Sequence, residues 1–238
     1  MWKNINLERC LAHINAQRNI PLQSPHEPGP AITISRMCGA GGRTVASQLL
    51  DYLQPHAPLG CQWTVYDKGL IEKVMDDHLL PRPLAERVPE GGHSLLSELL
   101  DKVRGTDVTS AKLVENIIET IRKLAESGYV ILVGRAANVI TADMKNVFHV
   151  RLVGSLERRI ERVEEVYEMS HSAAEAYVKA QDAAKRLYLK DYFGKSIDDS
   201  QLYHLVVNTD RISYAETARL IGDAFLNWFK VGTPVAVG

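Results

Sequence analysis

Ala31-Ile-Thr-Ile-Ser-Arg-Met-Cys-Gly-Ala-Gly-Gly-Arg-Thr-Val-Ala46 is the stretch whose reading decides the fold. A short β-branched run feeds a glycine-rich turn, and the turn opens an amphipathic helix. Gly39, Gly41 and Gly42 let the backbone curl with its N–H groups inward, and the helix behind adds the positive end of its dipole. That is the outline of a phosphate-binding loop; the alternative is a tight turn that lets helix and sheet pack closely. The standard spacing GxxxxGK[ST] puts a glycine at position 36 and a lysine at position 42, where this chain has Arg36 and Gly42. Arg36 and Arg43 flank the turn with charge that could replace the lysine. Thr44, in the first turn of the helix, is the candidate hydroxyl for Mg²⁺, against the alternative of an ordinary helix-start threonine.

Outward from the loop, Val45, Ala46, Leu49, Leu50 and Leu53 form the apolar stripe of the helix. A strand is predicted at Thr64 to Asp67. Val114, Ile117, Ile118, Ile121, Leu124 and Ala125 define a long helix that stops at Gly128, and the apolar run Tyr129 to Val133 reads as a buried strand. Further strands are predicted at Val147 to Val153 and Tyr203 to Asn208. Between them lie helices over about 155–168 and 173–192, the second opened by a capping box of Ser172 and Glu175. A last helix, Ile212 to Phe229, turns Ala218, Ile221, Phe225 and Trp228 inward. Five short strands separated by helices predict an α/β fold: a five-stranded parallel sheet, helices on both faces, and ligands beyond the carboxyl ends of the strands. The glycine loop, Asp67, Gly134-Arg135 and Asn208-Thr209-Asp210 all fall at such ends.

The 238 residues suit one large domain carrying insertions. The predicted divisions are an N-terminal helix and Pro-rich linker over 1–30, a main domain over 31–230 with insertions at about 68–110 and 155–194, and a tail over 231–238. The stretch from Leu79 to Thr106, rich in Pro, Gly and charge, reads as a mobile insertion. Leu7, Cys10, Leu11 and Ile14 share a face of the first helix, which would pack on the core or on a second subunit, so a homo-oligomer stays open. With 28 Lys and Arg against 29 Asp and Glu, no global field recruits nucleic acid or an anionic membrane. Cys10, Cys38 and Cys61 are an odd set without metal-ligand spacing, which fits reduced thiols and a cytoplasmic location. No targeting segment or membrane span is expected. The histidines form no HxxxH pair and no Gly-x-Ser-x-Gly elbow occurs, so hydrolase chemistry finds little support.

Arg135 follows a buried strand and a glycine, a position suited to bidentate contact with a substrate phosphate. Val133 stands where a standard phosphotransferase carries a magnesium-binding Asp. Arg158, Arg159 and Arg162 cluster on one helix, and Lys185, Arg186 and Lys190 on the next. Arginines on a movable hairpin can close on a transferring group and neutralise its charge, although Arg158 with Glu161 and Asp182 with Arg186 also offer local ion pairs. Asp67 could orient a substrate hydroxyl or cap the helix that starts at Lys68.

The ordered series Ile32-Thr-Ile-Ser-Arg36, Gly39-Ala-Gly-Gly-Arg43, Tyr66-Asp67-Lys68, Val133-Gly-Arg-Ala-Ala-Asn138, Leu156-Glu-Arg-Arg-Ile-Glu-Arg162, Asp182, Tyr192-Phe193-Gly194 and Leu205-Val-Val-Asn208 resembles the cytidylate kinase-like family. This is a nucleoside monophosphate kinase branch of the P-loop proteins, and the likeness runs from about residue 31 to 225. The resemblance implies a three-layer P-loop fold with a helical lid and an acceptor-binding insertion. It implies transfer of the γ-phosphoryl group of ATP, with Mg²⁺, to a nucleoside monophosphate, CMP or dCMP, as small-molecule partners. By matching positions, Gly39, Ala40, Gly41, Gly42, Arg43 and Thr44 would hold the donor phosphates and Asp67 and Arg135 would face the acceptor. Arg36, Arg43, Arg158 and Arg162 would carry the catalytic charge. Met37, Cys38, Ala183 and Ala184 depart from the family pattern. The missing lysine and Asp, with Ala183 and Ala184, motivate one alternative, a nucleotide-binding regulator with weak or no turnover; a kinase of another small metabolite is a second.

Overall fold

The computed structural model describes residues 28–67, Gly69 and 108–232. The predicted helix at the N-terminus, the stretch read as a mobile insertion and the last residues of the tail lie outside the described residues.

Strand β1 (Ala31–Arg36) runs through the loop into helix α1 (Gly42–Leu53), followed by a 3₁₀ turn at Gln54–His56 and strand β2 (Thr64–Tyr66). Helix α2 (Val108–Ser127), strand β3 (Val130–Val133), the short helix α3 (Ala137–Ile140) and strand β4 (Val147–Val153) come next. Helices α4 (Leu156–Tyr167) and α5 (His171–Phe193) form an antiparallel hairpin, and strand β5 (Leu205–Asn208) and helix α6 (Tyr214–Gly232) close the chain. The strands pair in the order β2-β3-β1-β4-β5, every pair parallel. The predicted five-stranded parallel sheet is therefore present, with β1 at its centre.

Alternation along the strands assigns the two layers of helices. Ile32 and Ile34 of β1, Ile131 and Val133 of β3 and Phe148, Val150 and Leu152 of β4 face α1 and α6, where they meet Val45, Leu49, Leu53, Ile221 and Phe225. Ala31, Val130, Leu132 and Val147 face the opposite way, onto Ile117, Ile118, Ile121 and Leu124 of α2 and Leu189 and Phe193 of α5. Strands covered on both faces need the near-continuous apolar runs that the sequence has at these places. The far end of the α4–α5 hairpin has its own small core of Ile160, Val163, Ala174 and Val178. Among the described residues no helix is long and apolar enough to cross a membrane.

Several boundaries differ from expectation. Helix α5 starts two residues early: Ser170, whose side chain accepts from the Ala173 amide, is the cap, and Glu175 pairs with Lys179 instead of closing a box with Ser172. Tyr129 sits at φ 53°, outside extended geometry, so β3 begins at Val130. Strand β5 begins at Leu205 because a 3₁₀ turn at Ser200–Leu202 precedes it. Trp228 is half-buried, packing edgewise on His204 and beside Phe148.

Candidate functional site

Where β1 ends, the Met37 amide still donates to Leu152 of β4, at 3.1 Å, and the chain then curls through Cys38 to Gly41. Gly39 and Gly41 lie at φ 82° and 77°, and Gly41 caps α1 from the left-handed region with no side-chain acceptor. Among the described residues the amides of Gly41, Gly42, Arg43 and Thr44 have no protein partner, as the first turn of a helix leaves them. The same glycines also make room for protein. A β-carbon at Gly39 would overlap the Arg159 carbonyl, and one at Gly41 would overlap the Tyr214 ring. Both alternatives read from the sequence, anion cradle and tight packing, are thus built into one turn. Thr44 is half-buried in that first turn; counted along GxxxxGK[ST], the hydroxyl position is 43 and holds Arg43, one residue before it.

The two arginines flanking the loop go separate ways. Arg43 is 70% exposed and turns to Asp67, with Nε 3.2 Å from Oδ2. Asp67 also accepts from the Gly69 amide at 3.1 Å, so it is held both as a turn acceptor and as the partner of Arg43. Arg36 instead runs inward across Gly42 and reaches Gly134 at the end of β3, where a β-carbon would overlap its guanidinium. Burial pushes the Arg36 guanidinium below its usual range, and Arg43 adds to the shift. After β3 the backbone makes a left-handed run, Gly134 (φ 88°), Arg135 (φ 53°) and Ala136 (φ 56°). The non-glycine members cost roughly 1–2 kcal/mol each, strain of the kind that gathers at functional turns. The run delivers Arg135 to a cavity of about 50 Å³ whose lining includes Arg36, Asn138, Lys185 and Tyr188. Burial lowers the Arg135 and Lys185 pKa values and pushes the Tyr188 phenol up to about 12. Among the described residues Asn138 Nδ2 and Tyr188 Oη, buried there, find no hydrogen-bond partner.

The hairpin closes over the loop through residues other than those predicted. Arg158 bonds to Glu161 at 3.1 Å and Arg162 to Glu165 at 2.8 Å, both on their own helix, and Arg162 also lies over the Tyr214 ring. The arginine that turns inward is Arg159, which donates to the Gly154 and Cys38 carbonyls, each at 3.0 Å, and to Asp182 Oδ2 at 2.6 Å. Asp182 Oδ1 accepts from the Cys38 amide at 2.7 Å and from Lys185 at 3.2 Å. A carboxylate from α5 therefore sits on a backbone amide of the loop. The expected pairing of Asp182 with Arg186 does not form; Arg186 goes to Asp198, 3.3 Å away.

Of the four inward polar groups, Arg159, Lys185 and Asp182 were named from the sequence but not given these contacts, and Arg151 was not singled out; the periodicity marks all four. Arg159 shares the stripe of Leu156, Ile160 and Val163, whereas Arg158 and Arg162 fall off it. Lys185 and Asp182 continue the Ala174, Val178 stripe of α5 towards Leu189. On β4, Arg151 shares a face with Val147 and His149; buried, it donates to Ser35 Oγ at 3.1 Å and to Asp198 at 2.8 Å. The Asn208-Thr209-Asp210 turn serves the hairpin, since Asp210 accepts from the Ser155 amide at 2.6 Å at the start of α4.

Solved structures align with most of this chain. An uncharacterized protein from Eubacterium ventriosum is 22% identical, over 83% of this chain and 98% of that one, with a TM-score of 0.64. The APS kinase of Mycobacterium tuberculosis, solved with AMPPNP and APS, is 18% identical over 85% and 99% of the two chains at a TM-score of 0.45. The shikimate kinase of Acinetobacter baumannii, solved with shikimate, is 14% identical over 84% and 95% at 0.43. A search of curated proteins found no match. The fold is the three-layer P-loop fold, a five-stranded parallel sheet between two layers of helices. The model of the cytidylate kinase-like family matches residues 31–211, well over half of the chain and including the loop, the Gly134-Arg135 turn and the α4–α5 hairpin, and the chain belongs to that family.

Proposed function

We propose that this protein is an ATP-dependent phosphotransferase whose acceptor is a nucleoside monophosphate, CMP or dCMP. The observation that carries the reading is the meeting of Arg36, Arg135 and Lys185 in one small cavity beside the loop, at the carboxyl ends of β1 and β3. Three cations from a strand end, a strained turn and the helical hairpin suit two phosphate-bearing substrates brought end to end.

The loop fits a polyphosphate. Among the described residues four amides at the head of α1 lack protein partners, and the helix dipole adds to them. Gly39 to Thr44 would hold the donor phosphates. Bound Mg²⁺ would neutralise phosphate charge, with the Thr44 hydroxyl as the proposed protein contact. Among the described residues no cluster of three His, Cys, Asp or Glu could hold a metal, so its other ligands would be phosphate oxygens and water. Arg135, with Asn138 and Tyr188, would bind the acceptor phosphate, and Asp67 would face its sugar or base. Arg43 stays with Asp67 and orients it. Arg158 and Arg162 would have to exchange their glutamates to reach substrate, so the charge from the hairpin is assigned first to Lys185. Phosphoryl transfer needs no protein nucleophile; alignment and charge neutralisation supply the acceleration.

A second reading, a nucleotide-binding regulator, is favoured by Asp182, which already fills one loop amide with a carboxylate, and by Val133 at the end of β3. One panel separates the readings. Purified protein with Mg-ATP is offered CMP, dCMP, UMP, AMP and GMP, with APS, shikimate and gluconate as other acceptors, and ADP release is followed. Turnover with CMP or dCMP supports the proposal, and turnover with a non-nucleotide reassigns the acceptor. ATP binding without product from any acceptor supports the regulator.

A further inference from the structure

In the standard loop the first position is a glycine and the cation stands at the head of the helix. In this chain the same two positions are reversed, and the coordinates give the reversal a steric basis. The Arg36 stem passes over residue 42 so closely that a β-carbon there would lie 2.8 Å from its Cγ and 3.1 Å from its Cδ. The guanidinium then reaches Gly134, where a β-carbon would overlap it. The contact at 42 falls on the stem of Arg36 and the one at 134 on its movable end, so glycine at 42 is the tighter requirement and glycine at 134 leaves the guanidinium in place. The path ends in the cavity that Arg135 and Lys185 also line.

The charges around the loop mark Arg36 independently. Arg43 is bound to Asp67, Arg159 to Asp182, Arg162 to Glu165, and Lys185 to Asp182. Among the described residues Arg36 makes no ion pair, although the charge of Asp67 acts on it, so its guanidinium is left open to an incoming anion. A guanidinium with a bidentate fork, half-buried at the loop, is suited to a phosphate group.

Resting on the phosphotransferase reading, we propose that positions 36 and 42 have exchanged roles. Arg36 supplies the donor-phosphate charge that a lysine at 42 supplies in the standard loop, and Gly42 and Gly134 are the space that its side chain requires. A lysine at 42 and an arginine at 36 are mutually exclusive, whereas the reversed pair, glycine at 36 and lysine at 42, restores the standard loop.

The test is calorimetric titration of Mg-ATP into the full-length protein and into Arg36→Gln, Arg36→Gly, Gly42→Lys and the double variant Arg36→Gly/Gly42→Lys, each checked by thermal unfolding. Losing a charge-assisted phosphate contact is expected to weaken binding about tenfold or more in Arg36→Gln and Arg36→Gly. Gly42→Lys alone is expected to weaken it too, through the clash. The double variant is expected to recover to within roughly threefold of the natural protein, a gap of well under one contact. If the natural protein binds ATP but Arg36→Gln binds it equally well, this proposal fails while the phosphotransferase reading stands. A double variant that unfolds normally yet binds no better than Arg36→Gly also overturns the exchange. If the natural protein binds no ATP, both fall together. Should Arg36→Gly not fold, Arg36→Gln, which keeps much of the stem over Gly42, decides the outcome.

Discussion

Gly134 shows what a single residue decides here. At φ 88° a β-carbon is strained, and the same atom would strike the Arg36 guanidinium. Gly134→Ala is therefore expected to cost about 1–2 kcal/mol from the left-handed backbone alone, seen as a lower urea midpoint, and to displace Arg36. Mg-ATP affinity should fall in this variant, and a fall in stability without one would mean that Arg36 does not serve the nucleotide. In the sequence the identity of this residue was legible, since a glycine and an arginine after a buried strand mark a strand-end site. The direction of Arg36 was not. Residue type fixes charge and reach, but the choice between Arg36 and Arg43 depends on Asp67 being close enough to take Arg43, which is a tertiary fact.

At the scale of elements, the α4–α5 hairpin is joined to the loop by one buried cluster, Arg159, Asp182 and the Cys38 amide. Both side chains are only 10% exposed, so removing one leaves the other charged and out of water. Asp182→Ala is expected to destabilise the protein by about 3–5 kcal/mol, measured by urea unfolding, whereas Glu161→Ala, which only releases the exposed Arg158, should change stability by less than about 1 kcal/mol. Equal effects would mean that the hairpin is not fastened here. The helices themselves were legible from apolar spacing, and so was their order. The inward arginine was missed because the charges were counted as a cluster instead of being placed on the apolar stripe. Asp182 was misassigned to Arg186 on sequence spacing, although Asp198, brought in by the turn before β5, takes that arginine.

Across the whole molecule, the central strands carry a buried histidine that makes stability depend on pH. His149 Nδ1 lies 2.9 Å from Thr33 Oγ1, and its backbone amide donates to His204 Nδ1 at 2.9 Å. Burial, with His204 adding to it, pushes the His149 pKa down to about 3, and burial lowers that of His204 as well. The unfolded chain binds the His149 proton near pH 6.5 and the folded one does not, so its contribution is fully present above pH 6.5 and is lost as pH falls towards 3, and His204 acts in the same direction. For His149 the loss between pH 6.5 and 5 is about 2 kcal/mol. Urea midpoints at the two pH values should show it, and His149→Gln should flatten the slope; an unchanged slope would show that His149 titrates normally. None of this was visible in the sequence, where His149 was one more residue of an apolar strand. The sheet, its parallel pairing and the position of the loop were visible, because doubly covered strands require apolar runs and the loop requires glycine. What the linear pattern withheld was the closing of the hairpin, which depends on contacts between residues more than a hundred positions apart.

The central claim is that this loop holds the donor phosphates with Arg36 as their cation. The most direct test is a crystal structure of the full-length protein with Mg²⁺ and a non-hydrolysable ATP analogue. The expected result is phosphate oxygens on the amides of Gly41 to Thr44, with the Arg36 guanidinium within hydrogen-bond distance of the β- or γ-phosphate and Arg43 still on Asp67. Nucleotide bound away from this loop, or bound in it with Arg36 turned aside, would contradict the claim.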